Sequence, residues 1–137
     1  MNKQLYYCIL QYKHSPILGE AINVGILFFF PEEQTKLFFQ MADSTRLRPI
    51  YDDFDTTYFN SILKIIQKNV QTFSKKLCAE GTTINNLDAF IHKYLLKKDD
   101  TVLQFSKPFS VLNTFQTNET AVKEYTKMLL PLSDKRQ

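Results

Sequence analysis

The chain has 137 residues, of which 44% are apolar and 23% are charged, and its formal net charge is +3. These proportions are ordinary for one globular domain, and they exclude a mainly disordered chain and a collagen-like repeat. With only three glycines and two cysteines, the chain also lacks the composition of a glycine-rich phosphate loop or a disulfide-rich framework.

The chain shows no targeting segment and no run of residues that could cross a membrane. Its longest uninterrupted apolar run, at 24–30, has seven residues, whereas a transmembrane helix needs about 20. We therefore expect a cytoplasmic protein that does not associate with a membrane and keeps Cys8 and Cys78 reduced.

The first third of the chain predicts three strands. Residues 4–12 place apolar side chains on both faces of an extended chain, which indicates a strand that is covered on both sides. Residues 22–30 and 35–41 predict two further strands, and the short turn at 31–34 predicts that they form an antiparallel hairpin. Gly25, inside the second strand, indicates a bulge or a close backbone approach.

The rest of the chain is mainly helical. Residues 56–78 and 84–97 predict two helices, because their apolar residues recur every three or four positions. Residues 101–112 return to strand character, interrupted at Pro108, which favours an edge or a bulge. Residues 119–130 then predict a last helix.

Three strands followed by two helices, a broken strand region and a last helix predict the α+β class. We expect a mainly antiparallel sheet of four or five strands, packed by about three helices. We see no internal repeat and no linker, so the prediction is a single α+β domain over 1–132 with a mobile tail over 133–137.

The aromatic content is unusual, with 12 Phe and 7 Tyr but no Trp. The long helix and its neighbour are predicted to cover one face of the sheet, and the last helix is short for the whole second face. Some rings on the first three strands are then predicted to stay partly exposed and to bind a protein partner. The alternative is that the last helix and the loops bury all of them. The candidate rings are Tyr6, Tyr12, Phe28, Phe30 and Phe38.

The segment Gly19-Glu20-Ala21-Ile22-Asn23-Val24-Gly25 brings polar groups into the start of an otherwise apolar strand. Such groups must be hydrogen-bonded when they are buried. Glu20 could accept hydrogen bonds from loop N–H groups or from Arg46 or Arg48, and Asn23 could close the loop as in an Asx turn. The segment predicts either a structural clasp of the first hairpin or a polar pocket at the end of the sheet.

A basic ridge is predicted on the long helix, where Lys64, Lys68 and Lys75 lie opposite the apolar stripe. These lysines could contact phosphates or an acidic partner. Lysines in this arrangement are also typical of the solvated face of any amphipathic helix.

Carboxylates cluster before the long helix at Asp52, Asp53 and Asp55. A small metal-dependent nuclease would need converging carboxylates of this kind. Helix capping and a solvated turn are the simpler interpretation.

The remaining reactive side chains do not predict a catalytic centre. His14, His92, Cys8 and Cys78 lack the paired spacing of metal ligands. The apolar, mid-strand setting of Cys8 favours a raised thiol pKa, which disfavours nucleophilic catalysis. We therefore expect no enzymatic activity, no cofactor and no bound metal.

The chain resembles the bacterial domain-of-unknown-function family 3037. The specific part of the resemblance is Gly-Glu followed by Asn-Val-Gly, and the likeness extends more loosely over most of the chain. The Lys-His pair at 13–14 departs from the family pattern, so the resemblance supports no role for His14. The matching residues are Tyr7-Cys8-Ile9-Leu10-Gln11-Tyr12, Pro16, Gly19-Glu20, Asn23-Val24-Gly25, Arg46-Leu47-Arg48, and Leu103-Gln104-Phe105-Ser106 with Pro108.

The resemblance implies a genetic setting rather than a chemistry. Such proteins are often encoded beside a HipA-like serine/threonine kinase, and kinases of that type act as toxins or growth regulators. The resemblance therefore implies a non-enzymatic companion or antitoxin-like subunit of such a kinase, acting alone or as a homo-oligomer. The alternatives are the small metal-dependent nuclease or a nucleic-acid-binding module that uses the basic ridge.

Overall fold

A computed structural model of the chain describes residues 3–12, 22–31, 36–41, 56–80, 84–96, 103–114 and 117–130. These residues form one antiparallel sheet of five strands and three helices, which confirms the predicted α+β fold. The predicted end of the domain at residue 132 lies outside the described residues. The elements are β1 (Lys3–Tyr12), β2 (Ile22–Phe30), β3 (Lys36–Met41), α1 (Thr56–Glu80), α2 (Leu87–Phe90), a π-helical turn (Ile91–Leu95), β4 (Leu103–Phe105), β5 (Phe109–Asn113) and α3 (Asn118–Leu129).

Strand β1 is paired along both of its edges. On one side it pairs with β2, which in turn pairs with β3. On the other side it pairs first with β4 and then with β5, so these two short strands share one edge of the sheet. The broken strand region predicted from the sequence is therefore a single interrupted edge strand.

At the interruption between β4 and β5, Ser106 supplies the hydrogen bonds to β1 that a continuous strand would make. The register against β1 shifts by one residue between the two short strands, around Pro108, which has no N–H to donate. The backbone N–H of Ser106 donates to the C=O of Ile9 at 2.8 Å, and the Ser106 Oγ accepts from the N–H of Ile9 at 2.9 Å. Both backbone groups of Ile9 are therefore satisfied across the break.

The first core lies between the sheet and the layer formed by α1, α2 and the π-helical turn. The apolar stripe of α1 is buried here as the helical spacing predicts, and its lysines face away from the sheet. Burial of this stripe is what stabilises the helix. The helical residues of this core are Leu63, Ile66, Val70, Leu87, Ile91 and Leu95, and they pack on Cys8, Leu10, Val24, Leu27, Phe29, Leu37 and Phe39 of the sheet.

The second core lies on the opposite face, under α3. Ala121 and Leu130 pack there against Leu5, Ile26 and Phe28, and Phe30 belongs to the same cluster. Helix α3 begins after Thr117, whose side chain accepts a hydrogen bond from the N–H of Thr120 at 3.1 Å. Thr117 is therefore the N-cap of α3.

Gly25 lies where another side chain crosses the sheet. A Cβ atom on Gly25 would be only 2.7 Å from Cζ of Phe39. The Phe39 ring lies over this position, and its centroid is 6.2 Å from that of the Phe105 ring, with the planes at 66°. Gly25 also lies beside the irregularity in the β1–β2 register. The missing side chain thus lets one ring extend from β3 across β2 toward β4.

We expect Gly25→Ala to lower the free energy of unfolding by about 1–3 kcal/mol, the usual cost of overpacking. In an open strand position the same change would be favourable by about 0.5–1 kcal/mol, so the sign of the effect reports the contact with Phe39. Urea denaturation of Gly25→Ala, Phe39→Leu and the double variant measures the coupling. Additive effects of the two substitutions would contradict this account.

Candidate interaction surfaces

Four aromatic residues form a row across the sheet. Phe38 on β3 pairs with Phe28 on β2, Phe28 pairs with Tyr7 on β1, and Tyr7 pairs with Phe109 on β5. Directly paired residues place their side chains on the same face of a sheet. The four rings, which we call the aromatic row, therefore lie side by side on the face that α3 covers.

Helix α3 covers the middle of the aromatic row and leaves both of its ends in solvent. The Tyr125 ring of α3 lies 5.4 Å from the Tyr7 ring and 6.4 Å from the Phe28 ring, measured between centroids. Phe28 is fully buried, whereas Phe38 is 42% exposed and Phe109 is 47% exposed. The two rings at the ends of the row are therefore only partly covered.

One pair of neighbouring rings within the row is stacked. The Phe109 ring is stacked on that of Tyr7, with centroids 5.2 Å apart and planes at 25°. Burial raises the pKa of Tyr7, and the neighbouring Tyr125 raises it further. The Tyr7 phenol is therefore neutral at physiological pH, and the exposed Phe109 ring stacks on an uncharged ring.

The five rings singled out from the sequence have different environments. Tyr12 is buried in the first core, and Phe28 and Phe30 are buried in the second, which removes all three from the predicted exposed set. Tyr6 is half-buried against the first core, and Phe38 alone of the five is exposed. The helices decide this outcome, because α1 and α2 cover the face of Tyr12, and α3 covers that of Phe28 and Phe30.

Sequence reasoning missed Phe109. Its strand is too short and too close to Pro108 for the period of two to show which face each residue takes. The alternation of Phe109 with Val111 was the available signal, since both lie on the α3 face.

Asn23 links three elements of the fold. Its Nδ2 donates to the backbone C=O of Leu129 at 2.9 Å, and its Oδ1 accepts from Nε2 of Gln11 at 3.2 Å. The last carbonyls of a helix have no partner within the helix. Asn23 on β2 therefore satisfies the end of α3 and also contacts β1.

Several residues singled out from the sequence lie outside the described residues. They come from the polar segment at 19–25, from the acidic cluster at 52–55 and from positions 14, 46 and 48. They are Gly19, Glu20, Arg46, Arg48, Asp52, Asp53, Asp55 and His14.

A cleft of about 380 Å³ opens between the C-terminal part of α1 and the segment formed by α2 and the π-helical turn. The rings of Phe73, Phe90 and Tyr94 contact one another on its wall, with centroids 5.0–5.3 Å apart. Lys76 and Lys93 also line it. Nζ of Lys93 lies 5.2 Å from the centroid of the Tyr94 ring. Phe73 and Phe90 are partly buried against the first core, whereas Tyr94 is exposed.

The basic ridge of Lys64, Lys68 and Lys75 is exposed along α1. It faces away from the sheet and is separate from the residues that line the cleft. Lys76, one residue beyond the ridge, turns toward the cleft.

Cys8 is fully buried in the first core. Burial raises the pKa of its thiol to about 12, and the negative charge of Asp88 adds to this effect. Such a thiol is protonated at neutral pH and cannot act as a nucleophile. Within the described residues, no three His, Cys, Asp or Glu side chains are grouped so that they could hold a metal ion.

The described helices include none that is long and apolar enough to cross a membrane.

The family model for DUF3037, a protein of unknown function, matches residues 7–126. The chain belongs to the DUF3037 family. The DUF3037 match begins in β1 and ends in α3, so it includes both exposed ends of the aromatic row and the whole lining of the cleft. No curated protein and no solved structure matches the chain.

We expect Asn23→Ala to lower the free energy of unfolding by about 1–3 kcal/mol, because the Leu129 carbonyl loses its donor. Asn23→Asp keeps an acceptor for Gln11 but places a carboxylate against that carbonyl, so it should cost at least as much. Asn85→Ala, at an exposed position, is the matched control and should change stability by less than about 0.5 kcal/mol. Urea denaturation followed by circular dichroism measures all three. An aspartate variant that is more stable than the alanine variant would refute the role of Nδ2.

The two cysteines should differ sharply in reactivity. At pH 9 the thiol of Cys8 stays protonated because its pKa is about 12, and alkylation requires a thiolate that the reagent can reach. Iodoacetamide should therefore modify the exposed Cys78 in the folded protein and reach Cys8 only in urea. Peptide mass spectrometry locates the label, and equal rates at the two sites in the native protein would contradict the burial of Cys8.

Proposed function

We propose that this DUF3037 protein is a non-enzymatic interaction subunit that binds a HipA-like serine/threonine kinase through the two exposed ends of the aromatic row. The class of partner comes from the family resemblance. The observation that supports a binding role is the exposure of Phe38 and Phe109 on the face that α3 covers only in part.

Aromatic side chains of this kind are suited to anchor an interface. They contribute a large apolar area, and they lose little conformational entropy because they have only two rotatable bonds. Phe109 is already oriented by its stack on Tyr7. Since both anchors sit on strands of one sheet, their separation is set by three strand spacings, about 14 Å.

Helix α3, which packs on the same face of the sheet, also carries an exposed apolar side chain. Met128 of α3 is 67% exposed. The described charges of α3 are balanced, with Glu119 and Glu124 against Lys123 and Lys127. A surface with exposed apolar anchors and no net charge favours a partner that contributes apolar pockets rather than a charged chain.

We expect Phe38→Ala and Phe109→Ala each to weaken the complex about thirtyfold, which corresponds to the roughly 2 kcal/mol typical of an interface anchor. Neither should greatly change the melting temperature, because both rings are already half in solvent. Isothermal titration calorimetry of the purified protein with a purified HipA-like kinase measures the affinity.

Two variants control this experiment. Ile65→Ala removes a side chain that is 58% exposed on α1, so it should leave binding unchanged. Phe28→Ala removes the buried ring that is paired with Phe38, and it should cost about 3–5 kcal/mol of stability. The proposal is refuted if the kinase does not bind, or if Ile65→Ala weakens binding as much as the two phenylalanine variants do.

A further inference from the structure

We propose that the cleft between α1 and the segment formed by α2 and the π-helical turn binds single-stranded nucleic acid. A base would stack on Tyr94, and phosphates would lie near Lys76 and Lys93. This site is on the opposite side of the sheet from the aromatic row, so the inference is independent of the proposed kinase contact.

The rings of the cleft provide a stacking platform. Tyr94 is 44% exposed, and its ring packs against those of Phe73 and Phe90 at 5.0 and 5.1 Å. These contacts fix the orientation of the Tyr94 ring before a ligand arrives. Stacking on a fixed aromatic ring is how sequence-tolerant proteins hold unpaired bases.

The charges around the cleft favour a polyanion. The described residues of α1, α2 and the π-helical turn carry five lysines against two carboxylates, those of Glu80 and Asp88, whereas α3 carries two of each sign. Positive charge is therefore concentrated on the cleft side of the sheet. Among the residues that line the cleft, the two lysines Lys76 and Lys93 outnumber the one carboxylate, that of Glu80.

The backbone beside the cleft is also unusual. The N–H of Leu96 donates to the C=O of Ile91 at 2.9 Å, a separation of five residues rather than four. π-helical turns of this kind occur frequently at functional sites. This turn carries both Lys93 and Tyr94, so it presents the cation and the ring of the cleft from adjacent positions.

Single-stranded nucleic acid fits these features better than other anions do. A duplex keeps its base faces inside the stack, so it cannot use Tyr94. An acidic peptide would contact the lysines but has no planar base for the ring. A mononucleotide could stack on the ring but brings phosphate at one end only for the two lysines of the cleft, Lys76 and Lys93.

The test is fluorescence anisotropy of the full chain with labelled oligothymidylate and oligouridylate of about a dozen nucleotides. We expect affinity to fall with salt, with a slope of about −2 in the log–log plot if about three phosphates are contacted. A duplex of equal length, a mononucleotide and polyglutamate are the competing ligands, and each should bind more weakly than the single strands.

The variants separate stacking from charge. Tyr94→Ala should weaken binding roughly tenfold, and Tyr94→Phe should retain it, because both rings can stack. Lys76→Gln and Lys93→Gln should each lower the magnitude of the salt slope by about 0.7. The matched control Lys127→Gln removes the same charge from an exposed position on α3 and should change neither the affinity nor the slope.

Three outcomes would overturn the proposal. One is the absence of salt-dependent binding to both single strands at low ionic strength. Another is that polyglutamate, the duplex or the mononucleotide binds as tightly as the single strands do. The third is an equal loss of affinity in Lys127→Gln and in the two cleft lysine variants. If Tyr94→Ala fails to fold, the salt slopes of Lys76→Gln and Lys93→Gln and the affinity of Tyr94→Phe still test the proposal.

Discussion

Strands β1 and β2 carry apolar side chains on both faces. The need to bury both faces determines where the other described elements lie. A strand of that kind must be covered twice, so one helical layer forms on each face of the sheet. The two layers are unequal, because α1 has 25 residues and α3 has 12. The first face is buried under two helical segments, whereas the second is buried only along its middle. The exposed ends of the aromatic row follow from this inequality.

The local pattern of the sequence was sufficient to predict most elements. Strand β2 occupies the predicted residues 22–30, and the alternation of β1 correctly assigned Cys8 and Leu10 to one face and Leu5 to the other. These features depend on neighbours within a few residues. The predicted second helix, 84–97, is in the structure a short α-helix followed by a π-helical turn. The periodicity of three or four does not distinguish these two forms over so few residues.

The candidate surfaces could not be predicted in the same way, because they depend on long-range pairing. The aromatic row exists only because four strands align Phe38, Phe28, Tyr7 and Phe109 in register. The cleft exists only because α1 packs beside the π-helical turn. The burial of Phe28 likewise depends on where α3 crosses the sheet. Asn23 was visible as an unusual polar residue, but its partner, the carbonyl of Leu129, is 106 residues away in the chain.

The position of β4 and β5 beside β1 has a consequence for synthesis on the ribosome. Strand β1 is synthesised before the strands that pair with it, and the partners of its second edge come about a hundred residues later. At bacterial and eukaryotic translation rates this delay is on the order of 5–20 s. During that interval the nascent chain holds an apolar strand with an unpaired edge, the kind of segment that other polypeptides can extend into an aggregate. Chaperone capture of the nascent chain would protect it until the C-terminal third is made.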